Sequence, residues 1–268
     1  MSRIIGVIAI KGGVGKTSCV SQLGGALAEF GKKVLLVDAN FSAPNLGFHL
    51  GLINPKKTLH DAIKGNIPIE KAVYAYNKNL HVIPGSLLND KINPFLLKKH
   101  LNKLRGAYDI ILIDSSPNLN HEILATMVSA DELIVVTNPD VPTLSCTMHA
   151  VKEALRKKIP ITGLILNKVR NKDFELSIED IEDSCGVPVI GYLPESVAVP
   201  ESIANTIPLP YHKPMHDVSI EMKKLAAALI QQDYKDPRFF TQLRKMFDKS
   251  VRKDEVNREL LRLGKKHW

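Results

Sequence analysis

Cysteine is scarce in this 268-residue chain, and aromatic residues make up only 6% of it. Cys19, Cys146 and Cys185 are odd in number and widely spaced, which argues for a reducing compartment and against a disulfide framework. There is no C-x-x-C, so the usual zinc and iron–sulfur spacings are missing. No apolar run approaches the roughly 18–20 residues that span a bilayer. Arg3, a short apolar stretch and then Lys11 do not make the pattern of a signal peptide, and the expected location is cytoplasmic. The serine-hydrolase G-x-S-x-G, the zinc-hydrolase H-E-x-x-H and any paired carboxylate constellation are absent, and the histidines do not cluster as metal ligands do. What remains, 44% hydrophobic and 24% charged, suits one large α/β domain or two small ones with a substantial core.

Against these absences one segment stands out. Residues 11–18 read Lys-Gly-Gly-Val-Gly-Lys-Thr-Ser, directly after the apolar run Ile4–Ile10. A strand that feeds a glycine loop opening a helix is a cradle for polyphosphate. Gly12, Gly13 and Gly15 let the backbone take conformations closed to other residues and approach a ligand closely. The loop N–H groups, with Val14 among them, then form an anion nest, and the helix that Thr17 and Ser18 begin adds its positive end. Lys16 is placed to reach the β- and γ-phosphates of a nucleotide, and the Thr17 hydroxyl to ligate Mg²⁺.

The loop departs from G-x-x-x-x-G-K-[ST] at its first position, where Ile10 replaces glycine, and Lys11 precedes the double glycine. The form K-G-G-x-G-K-[ST] resembles the deviant Walker A loop of the MinD/ParA family of dimeric ATPases, most closely that of MinD-like proteins. The resemblance covers roughly residues 1–232. It implies an α/β fold, a doubly wound, mostly parallel sheet flanked by helices as in P-loop NTPases. It also implies a homodimer when ATP is bound, with Lys11 crossing to the phosphates held by the partner subunit.

Other segments extend the likeness. Asp38 to Leu46, with Asn45 before it, resembles the family's switch I, usually D-x-D-x-x-x-x-N-L. Asp38 matches the first Asp, but position 40, where the family's second Asp helps to position or activate water, is Asn40. An amide can orient water but cannot accept its proton. Slow hydrolysis with a long-lived ATP state is therefore expected, unless another group positions the water. Asp114-Ser115-Ser116-Pro117 resembles a Walker B-like switch II, in which Asp114 holds Mg²⁺ through a water alongside Thr17. In Asn167-Lys168-Val169-Arg170, Arg170 stands where GTPases carry the Asp that reads guanine. Asn167 can still bond adenine, which favours ATP over GTP, and Leu193-Pro194-Glu195 resembles the family's adenine-side loop, with Pro194 giving it shape.

Near-continuous apolar runs recur at Lys33–Val37, Leu80–Ile83, Ile110–Ile113, Glu132–Thr137, Ile161–Leu166 and Pro188–Leu193. Helical patterns lie between them, at Thr17–Phe30, Pro94–Arg105, His121–Ser129, Pro142–Lys157, Ser177–Ser184 and Val218–Gln231. Such alternation predicts a parallel, doubly wound sheet whose strands are covered on both faces, with the ligand at their carboxyl ends. Pro194–Pro214 reads as ordered loop and short helix.

Basicity is concentrated at the end of the chain. Residues 235–268 hold eleven Lys and Arg against five Asp and Glu, a net +6 of the total +8. Residues 1–234 thus read as the P-loop ATPase domain and 235–268 as a basic amphipathic helical tail. Phe239, Phe240, Leu243, Met246, Phe247 and Val251 recur at helical spacing with basic residues opposite. MinD proteins end in a comparable helix that lies on the membrane. Three readings stay open: packing on this subunit or its partner, reversible attachment to an anionic membrane at the inner face of the cell, or contact of the basic face with DNA.

The expected function is a slowly hydrolysing MinD/ParA-like ATPase that uses ATP and Mg²⁺, leaves ADP, and switches between monomer and dimer. It would position a division site, a DNA segment or an organelle, with an activating protein partner. The alternatives are an ATP-binding scaffold with little hydrolysis and a ParA-like partition ATPase that binds DNA. A ligase of the dethiobiotin synthetase kind fits neither Lys11 nor the tail.

Overall fold

The computed structural model describes residues 2–88, 92–238 and 252–264. Eight strands form one sheet: β1 (Arg3–Ile8), β2 (Val34–Ala39), β3 (Tyr74–Ala75), β4 (Leu80–Ile83), β5 (Ile110–Ser115), β6 (Glu132–Thr137), β7 (Ile161–Val169) and β8 (Val189–Pro194). Their order is β3-β4-β2-β5-β1-β6-β7-β8. Every pairing is parallel except that of β3 with β4. The chain is therefore the expected doubly wound α/β fold, with β1 near the middle and the glycine loop at its carboxyl end.

Alternation along each strand divides the core between two faces. Ile5 and Val7 of β1 pack with α1 (Lys16–Glu29), α8 (Leu209–His212) and α9 (Asp217–Leu229). Ile4 and Ile8 face the opposite layer, built from α2 (Leu59–Ile63), α3 (Leu97–Leu104), α4 (His121–Ser129), α5 (Val141–Arg156) and α6 (Ile178–Cys185). Burial on both sides is why the central strands read as unbroken apolar runs.

Two elements carry no periodic signal in the sequence. The strand β3 has two residues, and α2 is a five-residue helix fixed by its cap. Thr58 accepts the Asp61 N–H, and Asp61 accepts the Thr58 N–H at 2.8 Å, a reciprocal capping box. The stretch Pro194–Pro214 contains α7 (Ala198–Ala204) and α8.

Of the residues after 235, those described, 236–238 and 252–264, pack on the body. Asp236 is paired with Lys224 at 2.8 Å, and Arg238 with Asp217 and Glu221, both at 2.7 Å. A last helix, α10 (Lys253–Arg262), runs along β8, the edge strand of the sheet, and against α9. Asn257 Nδ2 donates to the Val189 carbonyl at 2.8 Å, and the Arg252 guanidinium lies 4.6 Å from the centre of the Tyr192 ring. Covering an open edge in this way removes a template for pairing with another chain. The apolar stripe Phe239, Phe240, Leu243, Met246, Phe247 and Val251, and Trp268, lie outside the described residues. Among the described residues no helix is long and apolar enough to cross a membrane.

Candidate functional site

The loop between β1 and α1 forms one side of a cavity of about 760 Å³ at the carboxyl ends of the strands. Gly13 and Gly15 take φ of +80° and +90°, the left-handed region that side chains resist. A Cβ on Gly15 would also lie 2.3 Å from Asn167 Nδ2. Gly12, Val14, Lys16, Thr17 and Ser18 line the same cavity, as do Lys11, Asn40, Asn167 and Pro194. Asp38 and Asp114 are 1% and 0% exposed and lie beneath the lining.

These two aspartates stand opposite each other in the register of β2 and β5. Lys16 donates to Asp114 Oδ1, and Thr17 Oγ1 donates to Asp114 Oδ2 at 2.7 Å. Asp38 accepts the Leu46 N–H at 2.9 Å and the Asn40 N–H at 3.3 Å. Burial first, and then the charge of Asp114, raise the Asp38 carboxyl well above the ordinary range, against the pull of those two N–H groups. Two carboxylates thus share one lysine in a buried site. Among the described residues no cluster of three or more His, Cys, Asp or Glu could by itself hold a metal. The Thr17 hydroxyl and the Asp114 carboxylate are hard oxygen donors held together, a set that fits a cation taking its other ligands from phosphate and water.

Asn40 is buried, and its Nδ2 donates to the Ala43 carbonyl at 2.6 Å. Its Oδ1 has no partner, so the side chain keeps an open acceptor. Lys11 does not fold into its own loop. Its Nζ donates to Thr143 Oγ1 at 2.8 Å and to Asp140 Oδ1 at 3.3 Å, at the first turn of α5. Asp140 also caps that helix, accepting the Thr143 N–H at 2.9 Å. Burial tends to raise the Asp140 carboxyl, but its bonds from Thr143 and Lys11 outweigh this and hold it low.

At the far end Asn167 Nδ2 donates to the Val14 carbonyl at 2.8 Å. Lys168 has φ +58° and reaches back to the Gly13 carbonyl at 2.8 Å, so β7 braces the loop at two points. Arg170 pairs with Glu195 at 3.0 Å, tying the end of β7 to the end of β8. The residue that stands where GTPases carry a guanine-reading Asp is thus an ion-pair partner of the Pro194 loop. Cys19 is buried, and its thiol is pushed up to about 12, chiefly by burial, which leaves it unreactive.

The chain belongs to the CobQ/CobB/MinD/ParA nucleotide-binding family. Its family model matches residues 5–209, the span from β1 to α8. An ATP-binding protein of Methanocaldococcus jannaschii is 34% identical over 237 residues, 87% of this chain and 90% of the relative. The septum site-determining protein MinD of Synechocystis is 31% identical over 242 residues, 87% of this chain and 91% of that protein. In structure the chain is similar to MinD of Pyrococcus horikoshii complexed with Mg-ADP, with TM-score 0.80, 33% identity, and cover of 84% of this chain and 95% of that one. The MinD/ParA resemblance and the fold are thus both established.

Within this family site, the sequence reading placed every cavity-lining residue it named at a strand end or on the loop. It missed Asp140, Thr143, Lys168, Gln22 and His49. Asp140 and Thr143 carry a legible sign of a helix start, but nothing local says that this start faces Lys11.

Proposed function

We propose that the chain is an ATPase that alternates between a monomer and an ATP-bound homodimer, and so positions a cellular structure such as a division site, a DNA segment or an organelle. The observation that carries this reading is Lys11. It sits at the rim of the cavity, contributes nothing to its own loop, and is held by two side chains of α5 in a half-exposed contact. An exposed pair of this kind is worth about 0–1 kcal/mol, so a phosphate in a facing subunit can draw the lysine away.

The geometry and the family resemblance support the remaining roles. The N–H groups of the loop and the start of α1 surround the phosphates. Lys16 turns from Asp114 to phosphate oxygen. Thr17 and Asp114 would hold Mg²⁺, which would supply charge neutralisation at the phosphates. Asp38 keeps switch I folded through the Leu46 and Asn40 N–H groups. Asn40 Oδ1 orients water without taking its proton, which makes turnover slow. Lys11 of the facing subunit supplies charge where it develops in the transition state. Asn167 and the Pro194 loop hold adenine. A nucleotide-binding scaffold with little hydrolysis is the second reading, favoured by Asn40.

The stripe Phe239, Phe240, Leu243, Met246 and Phe247 is proposed to meet an anionic membrane surface, placing the protein peripherally on the inner face of the cell membrane. A protein that triggers hydrolysis is the other expected partner, and DNA is less favoured. The test is light scattering after size exclusion, with Mg²⁺ and either ADP or a non-hydrolysable ATP analogue. The wild type should become a dimer with the analogue alone, and Lys11→Ala should bind the analogue yet stay monomeric. A wild type that binds the analogue and remains monomeric overturns the proposal.

A further inference from the structure

One stretch of the cavity wall has no assigned partner. It includes Gln22 and His49, and Ser18, Val199 and Ile203 line the same cavity. Ser18 and Gln22 are four residues apart on α1 and share one face. His49 stands on the short 3-10 turn Phe48–Leu50, against which α7 packs. The wall is thus built from the helix that begins at the phosphate loop, the turn that closes switch I, and the helix that follows the base-side loop.

Gln22 is 2% exposed and lines the cavity, yet its Nε2 has no hydrogen-bond partner. A buried amide left unsatisfied in this way is costly, so a group that bonds the amide gains more than an ordinary contact. His49 has its Nδ1 3.4 Å from Ser21 Oγ, and among the described residues its other ring nitrogen has no partner. Burial, assisted by Lys16 and opposed by Asp114, holds the imidazole below its ordinary range. The wall is therefore neutral and polar. A phosphate would seek cations, and it has them at Lys16 and the loop. A flat base would seek an apolar slot and the Asn167 amide. A neutral amide and a neutral imidazole, on elements that continue from the phosphate loop and switch I, suit hydroxyl groups.

We propose that Gln22 and His49 form the subsite for the ribose of the nucleotide, with the Gln22 amide bonding a ribose hydroxyl. This rests on the nucleotide reading given above and adds to it a residue that discriminates the sugar. The glycine loop would not do so, since in that reading it meets the phosphates.

The test is calorimetric titration of the full chain with ADP, 2′-deoxy-ADP and 3′-deoxy-ADP, each with Mg²⁺. For the wild type, loss of the bonded hydroxyl should weaken binding about 3- to 10-fold, the effect of one neutral hydrogen bond. In Gln22→Leu, which is near in volume and removes the unsatisfied amide, that ratio should fall to about 1. Gln22→Asn withdraws the amide by one methylene and should lose the discrimination equally, which covers the case of a Leu variant that does not fold. A wild type that binds ADP and both deoxy forms alike, or a ratio unchanged in both variants, overturns the ribose subsite and leaves the nucleotide reading intact. A wild type that binds no ADP overturns both.

Discussion

Glu221 and Asp254 sit in one buried charge cluster, yet neutralising them should have unequal consequences. Glu221 on α9 is 4% exposed, with Lys224 at 3.1 Å, Arg238 at 2.7 Å, Arg258 at 3.2 Å and Arg252 at 3.6 Å. Burial tends to raise its carboxyl, but Arg258, Lys224 and Arg238 together outweigh this, so the folded state favours the ionised form. Asp254 on α10 is 0% exposed, and burial raises its carboxyl in spite of Arg258 at 2.8 Å. No hydrogen bond of good geometry reaches either Asp254 oxygen, which is why the nearby arginine does not compensate for lost water. Breaking a buried pair by removing one partner costs about 3–5 kcal/mol. For Glu221→Gln we expect about 3 kcal/mol, the lower end, because Arg258, Arg238 and Lys224 each keep another carboxylate. For Asp254→Asn we expect less than about 1 kcal/mol, since the fold already disfavours that charge.

The two variants should also differ in the sign of their pH dependence. A carboxyl lowered in the folded state stabilises above its unfolded pKa, and that contribution is lost as pH falls through the folded value. A raised one stabilises below its unfolded pKa and loses that as pH rises through the folded value. As pH rises to the ordinary carboxyl range, about 4, Glu221→Gln should fall further behind the wild type and then stay level, while Asp254→Asn should gain on the wild type as pH rises above about 4. Urea unfolding at several pH values, read by circular dichroism, measures both. Equal costs, or pH profiles of the same sign, would refute the assignment. Because Arg238, Arg252 and Arg258 all meet Glu221, deleting residues 236–268 would strip a buried carboxylate of three partners. Substitutions at Phe239, Phe240 and Phe247 are the cleaner test of membrane attachment.

Two further outcomes follow from the site. Gly15→Ala should abolish nucleotide binding in a titration, since its Cβ meets both a φ of +90° and Asn167 Nδ2 at 2.3 Å; retained affinity would contradict the bracing of the loop by β7. Asn40→Asp should raise phosphate release by about 10²-fold, the low end for a positioned base. No increase would mean that another group activates the water.

The glycine loop, the parallel sheet and the polar residues at its strand ends are legible in the sequence because each rests on local chemistry. Gly13 and Gly15 announce a backbone that other residues resist, and doubly buried strands must be apolar throughout. Asp38, Asp114 and Asn167 come directly after the apolar runs of such strands, so their place at one end of the sheet comes with the alternation. What only the tertiary structure decided are pairings between distant residues. Lys11 against Thr143, Arg170 against Glu195, and Ser21 against His49 depend on which helix lies over which strand, and no local pattern encodes that. The terminal segment is the plainest case. Its charge and apolar spacing are compatible with solvent, membrane or protein, and the fold of the described part turns on Glu221, a carboxylate buried on another helix. Burial of a charge is energetically large and is settled by packing, so the local sequence around either partner leaves it open.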